Sequence, residues 1–86
     1  MIDSYVYDIT IHLKKDISIM LRTDTIGSDL ERTYRDMLRD KQGVKDSFEQ
    51  LENVPLKDFV GLSLNVTRYK YGRFVNSKCI KRSNFI

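Results

Sequence analysis

His12 is the single histidine of this chain, and general-base chemistry would require it to stand beside an oriented carboxylate and a nucleophile. Asp8 and Thr10 share its parity in an alternating stretch, so a His12–Thr10–Asp8 constellation can be drawn on one strand face. Such neighbours are common on any polar strand face, and no second motif supports catalysis. Asp36 and Asp40 lie one helical turn apart, but Arg32, Arg35 and Arg39 surround them. That pattern reads as a solvated, mixed-charge helix face. Cys79 is the one cysteine, which excludes an intramolecular disulfide and a cysteine-rich zinc site. It is expected to be a small buried or half-buried hydrophobe in a strand, because Lys78 and Lys81 are weak activators of a thiol. Gly-rich phosphate loops and HExxH, CxxC or EF-hand patterns do not occur. Asn65-Val66-Thr67 matches the N-glycosylation pattern only by chance, inside a strand pattern. No catalytic residue, cofactor or metal is expected, and the chain reads as non-enzymatic.

Charge is more informative. Residues 1–60 hold nine Lys or Arg against twelve Asp or Glu, whereas residues 61–86 hold six bases and no acid. Those bases are Arg68, Lys70, Arg73, Lys78, Lys81 and Arg82, and Tyr69, Tyr71 and Phe74 are interleaved with the first three. Basic side chains neutralise phosphates, and aromatic faces stack on bases, so this combination suits single-stranded nucleic acid. An acidic protein surface is the competing partner. The plainest alternative is edge protection, since Tyr and Phe favour strands and charge keeps an exposed edge from aggregating. The expected contact set is Arg68, Tyr69, Lys70, Tyr71, Arg73, Lys78, Lys81 and Arg82. With acids on the helix and bases on the last hairpin, opposite placement of the two would make the domain a dipole with a basic end.

The elements that must position these residues follow from periodicity. Tyr5, Tyr7, Ile9, Ile11 and Leu13 alternate with polar neighbours, and Ile17, Ile19 and Leu21 do so after Lys15-Asp16. Two such runs predict a hairpin of strands near 4–14 and 17–23, although its turn lacks Asn-Gly or Asp-Gly. Ser28-Asp29-Leu30-Glu31 has capping-box spacing. Leu30, Tyr34, Met37 and Leu38 then form a helical stripe, which Val44, Phe48 and Leu51 continue. One helix from 28 to about 53, bent at Gly43 and ended by Pro55, is expected. Val60, Leu62, Leu64 and Val66 restart the period of two, and strands near 59–70 and 74–81 form a second hairpin around Gly72-Arg73.

The expectation is therefore a single α+β domain over residues 1–86. It is a four-stranded antiparallel sheet with one long helix packed on one face, in the order β-β-α-β-β. Ile9, Ile11, Ile19, Leu30, Tyr34, Met37, Phe48, Leu51, Leu62 and Leu64 should form its core. On the open sheet face Val6, Met20 and Phe59 are left over, with Phe74, Val75, Ile80, Phe85 and Ile86 on the last strand and tail. That is apolar surface enough for a homodimer through the sheet or a protein partner.

No apolar run approaches a membrane span, and Met1-Ile2-Asp3-Ser4-Tyr5 shows no secretory signal. No membrane association is expected, and a cytoplasmic location is. Small size, the Ile, Lys and Asn content, and the lack of catalytic motifs suit an accessory protein of a bacteriophage or mobile element, which would act in host cytoplasm. Its expected function is to contact nucleic acid through the basic, aromatic C-terminal hairpin. The alternative is an inhibitor or adaptor that docks on an acidic surface of a host protein or nucleoprotein complex.

Overall fold

The computed structural model describes residues 3–21 and 28–86, with the backbone alone for Ser28. Strands β1 (Asp3–Leu13) and β2 (Ile17–Leu21) are joined by a 3-10 turn over Lys14–Asp16. Helices α1 (Ser28–Leu38) and α2 (Lys41–Ser47) follow, then 3-10 turns at Glu49–Leu51 and Leu56–Asp58. Strands β3 (Phe59–Lys70) and β4 (Arg73–Asn84) complete the chain. The sheet is antiparallel throughout, in the order β2-β1-β3-β4. The α+β class, the four antiparallel strands and the helical segment between two hairpins are those that the periodicity predicts. No strand occurs between residues 32 and 42. The last two residues expected of β2, and the Ser28 side chain of the capping box, lie outside the described atoms.

The single long helix is a misreading, and Asp40 explains why. Its backbone leaves the helical region (φ −143°), and its carboxylate accepts from the Gly43 amide at 2.9 Å, capping α2. A short polar side chain that bonds to nearby backbone competes with helix continuation and favours a cap. Gly43 is therefore not a bend. It sits three residues into a new helix, where a Cβ would stand 2.2 Å from the Asp40 carboxylate. Nor does Pro55 stop a helix, because α2 already ends at Ser47 and Phe48 is extended (φ −128°). Proline instead opens the 3-10 turn at Leu56–Asp58.

The helices cover only one half of the sheet. Ile9, Ile11 and Leu13 of β1 are buried, while Tyr5 and Tyr7, of the same parity, are half exposed. Leu62 and Leu64 of β3 meet Leu30, Tyr34, Leu38, Val44 and Leu51 in one core. Ile19, Met37 and Phe48, expected among the most buried residues, are only partly buried at its margin. The Tyr34 hydroxyl, held in this core, donates to the Leu62 carbonyl at 3.1 Å, which satisfies a polar tip that burial would otherwise penalise.

Phe59 corrects the assignment to the open face. A register shift pairs His12 with Gly61 but Leu13 with Phe59, so Val60 is the extra residue of a bulge. One extra residue reverses the facing of what precedes it, and Phe59 is buried at 4% exposure. It packs on Phe85 with ring centroids 5.8 Å apart, and the Lys41 ammonium lies 5.7 Å from the Phe85 ring. The Ile86 amide donates to the Leu38 carbonyl at the end of α1, so the C-terminal residues fasten the sheet to the helix.

Next to this bulge β3 and β4 approach closely. A Cβ on Gly61 would stand 2.2 Å from the Ser83 carbonyl oxygen and 3.0 Å from the Asn84 Cα. Backbone cannot yield as a side chain does. Gly61→Ala is expected to cost about 1–3 kcal/mol in a denaturant titration, the range for a forced overpacking. A cost below about 0.5 kcal/mol would show that β4 can move aside at no penalty.

Candidate nucleic-acid interface

Strand alternation decides where each basic residue points. Along β3, Arg68 and Lys70 share the helix-side parity of Leu62, Leu64 and Val66, whereas Tyr69 falls on the opposite face with Ser63, Asn65 and Thr67. On β4, Arg73 pairs with Lys70, Lys78 with Val66 and Lys81 with Leu64, which puts all three on the helix side. Arg82 pairs with Ser63 on the open face. Two register shifts leave Val75 and Ile80 as extra residues. Bulges and lysines of this kind hinder another chain from pairing with an edge strand, and all of β4 is exposed.

The eight residues expected to act together are thus divided. Arg68, Lys70, Arg73 and Lys78 gather on the part of the helix-side face that the helices do not reach. Lys81 lies further in, against α1, and is hydrogen-bonded to Glu31. That bond, then the charge of Lys81, holds the Glu31 carboxyl below the usual range. The idea that helix acids and hairpin bases lie on opposite sides therefore fails at Lys81. Tyr69 meets Phe74 edge-on, with centroids 6.4 Å apart, on the other face. Arg82 lies at the far end of the sheet, beside His12.

Two rings belong with the distal basic group that the sequence reading placed only in the core stripe. Tyr5 pairs with Arg68 and Tyr7 with Val66 on β3, and the two are 55% and 50% exposed. Their alternation with Ile9 and Ile11 signalled a buried stripe, but the helices end short of them. A cleft of about 210 Å³ opens here, lined by Tyr5, Val66, Arg68, Asn76 and Lys78. Arg68 donates through Nη2 to Asp3 Oδ2 at 3.0 Å, while its Nε and Asp3 Oδ1 have no partner. The pair is therefore singly bonded rather than forked, and both unpartnered atoms are buried.

The tip of this hairpin is a two-residue turn. Tyr71 (φ 52°) and Gly72 (φ 76°) both adopt positive φ, as a type I′ connection requires. Glycine takes this conformation freely, but a bulky residue does so only under strain. Tyr71 projects 72% exposed at the tip.

The open face is of another kind. Thr10 donates to Asp8 at 3.2 Å, and the Asn65 amide donates to Asp8, Thr10 and Ser63 at 3.1–3.2 Å. His12 exchanges hydrogen bonds with Ser63 through Nε2 at 2.8 Å and with Ser18 through Nδ1 at 2.9 Å. The His12–Thr10–Asp8 constellation is therefore not a relay, because the ring turns to serines on neighbouring strands. Val6 and Met20 are exposed on this face, as expected, but the polar ladder separates them. Cys79, expected to be buried or half-buried, is exposed on β4, with its thiol 3.3 Å from the Lys81 carbonyl. Cys79 pairs with Asn65, which turns it to the face opposite the helices.

Among the described residues no cluster of His, Cys, Asp or Glu is arranged to hold a metal ion, and no helix is long and apolar enough to cross a membrane. Comparison with protein-family models, curated proteins and solved structures finds no match.

Proposed function

We propose that this chain is a non-enzymatic binding protein that holds single-stranded nucleic acid on the distal, helix-side face of its β1–β3–β4 sheet. The observation that carries the reading is the gathering of Arg68, Lys70, Arg73 and Lys78 around the exposed rings of Tyr5 and Tyr7. Residues two apart on a strand are separated by about 6.6 Å, a spacing at which successive unstacked bases can each meet a ring while phosphates meet the flanking bases. Among the described residues Asp3 is the acid that faces this group, and Arg68 already engages it. The non-enzymatic part of the reading draws on His12, whose two ring nitrogens are both bonded to serines and neither to a carboxylate that would orient it as a base.

Fluorescence anisotropy with a short labelled oligonucleotide, repeated across salt concentrations, tests the reading. Each phosphate neutralised on a single strand contributes a log–log slope of about −0.7, so four cations predict a slope near −3. A salt-independent affinity, or none, would reject it.

Tyr71 gives a sharper discriminant. Asparagine tolerates the left-handed conformation that tyrosine resists, and Asn-Gly is the preferred type I′ pair. Tyr71→Asn should therefore raise stability by about 0.5–1 kcal/mol while weakening oligonucleotide binding by about 1–3 kcal/mol through loss of a stacking ring. A variant more stable and equally tight would show that Tyr71 is not a contact.

The second reading, docking of the hairpin on an acidic protein surface, draws on Val75, Ile80 and Phe74, which are 43%, 43% and 63% exposed along β4. A pull-down from host lysate that survives nuclease treatment would favour it.

A further inference from the structure

A second cationic cluster lies at the opposite end of the sheet, where β1 turns into β2. A cleft of about 380 Å³ is lined there by His12, Lys14, Lys15, Ser18 and Arg82, with Asp16 the one acid in its wall among the described residues. Among the described residues neither Lys14, Lys15 nor Arg82 takes part in a salt bridge. Three cations thus converge on one concave site with one carboxylate to offset them. The turn itself is strained, with Lys15 (φ 65°) and Asp16 (φ 59°) both left-handed. Non-glycine residues in this region persist only where the surroundings enforce them, often at binding sites.

We propose that this cleft binds a phosphate group, with Arg82, Lys14 and Lys15 supplying charge and the Ser18 hydroxyl, held by His12 Nδ1 at 2.9 Å, supplying a hydrogen-bond donor. Arg82 can offer a fork of N–H groups to two phosphate oxygens, and the lysines act as mobile point charges around it. Both ring nitrogens of His12 are engaged by Ser18 and Ser63, so the ring orients the Ser18 hydroxyl and senses the bound charge without bonding to it. Burial and, after it, the charge of Arg82 make His12 harder to protonate than usual, and a bound dianion beside it would reverse the second effect. Gly61, which pairs with His12, and Lys70 are nine residues apart on β3, so the site lies about 30 Å from the hairpin tip. It stands independently of the hairpin reading. The phosphate belongs either to a free anion or to the end of a nucleic-acid strand.

The test is a titration of the full chain with inorganic phosphate at fixed pH and ionic strength, read on the His12 imidazole signals by NMR. The expected result is a saturable shift towards the protonated ring, half complete at or below about 1 mM. Arg82→Gln, an exposed site whose fold circular dichroism can verify, should weaken the response about tenfold or more. Lys70→Gln with Arg73→Gln should leave it unchanged, even where that variant no longer binds oligonucleotide. A linear, unsaturated drift, or equal weakening by both variants, would overturn the site, because either would mean that net charge alone is sensed. A 5′-phosphorylated oligonucleotide that moves His12 where its 5′-hydroxyl counterpart does not would identify a strand terminus as the source. Equal behaviour of the two, with inorganic phosphate binding, would identify the free anion.

Discussion

Leu64→Ala is expected to remove about 2–5 kcal/mol of stability, a large share of the roughly 5–15 kcal/mol typical of a small domain. Leu64 is 5% exposed, pairs with Ile9 on β1 and Lys81 on β4, and belongs to the one core shared by the sheet and both helices. Truncation there removes apolar contacts and leaves a void, and β3 cannot collapse into it while paired on both edges. Urea unfolding followed by circular dichroism provides the measurement. A loss below about 0.5 kcal/mol would mean that this stripe does not form the core. Val66, two residues further on, is 8% exposed with half-exposed Tyr7 as its partner, so its truncation should cost less.

Reversal of Lys70, Arg73 and Lys78 to Glu together should abolish nucleic-acid binding while leaving the far-UV spectrum unchanged. All three are exposed and none takes part in a salt bridge among the described residues, so the fold has little reason to respond. Arg68 is best left out, because reversing it would set two carboxylates together at Asp3. If each base neutralises one phosphate, losing three reduces the salt slope by about 2 units, and the new negative charges repel the strand besides. Unchanged affinity in a folded variant would assign these residues to edge protection alone. Should the partner be an acidic protein instead, the loss would appear mainly in the association rate.

These two experiments probe different sources of information. The sequence alone determined the element types, because a period of two and a period near 3.6 are local properties of the chain. β1, α1 and β3 each have a clean apolar stripe, and each appears where the stripe predicts. The acid-free basic segment was equally legible, since charge can be counted along the chain. The break between α1 and α2 was harder to read. Gly43 was visible as a weak point, but the competing cap came from Asp40, whose role depends on a backbone conformation as well as on residue type.

Only the tertiary structure decided which bases act together. One linear run of Lys, Arg and Tyr becomes two faces on folding, because neighbours on a strand point to opposite sides. Bulges at Val60, Val75 and Ile80 then change the facing locally. Phe59 enters the core in this way, and Lys81 comes to share the face of Lys78, while Arg82 parts from Lys81 by alternation alone. Tyr5 and Tyr7 carried the same alternation as Ile9 and Ile11, and nothing local distinguished them. Their exposure is set by the length of the helices that pack across the sheet. A stripe records which side of a strand is apolar, but coverage depends on a partner distant in sequence, and here that partner stops halfway.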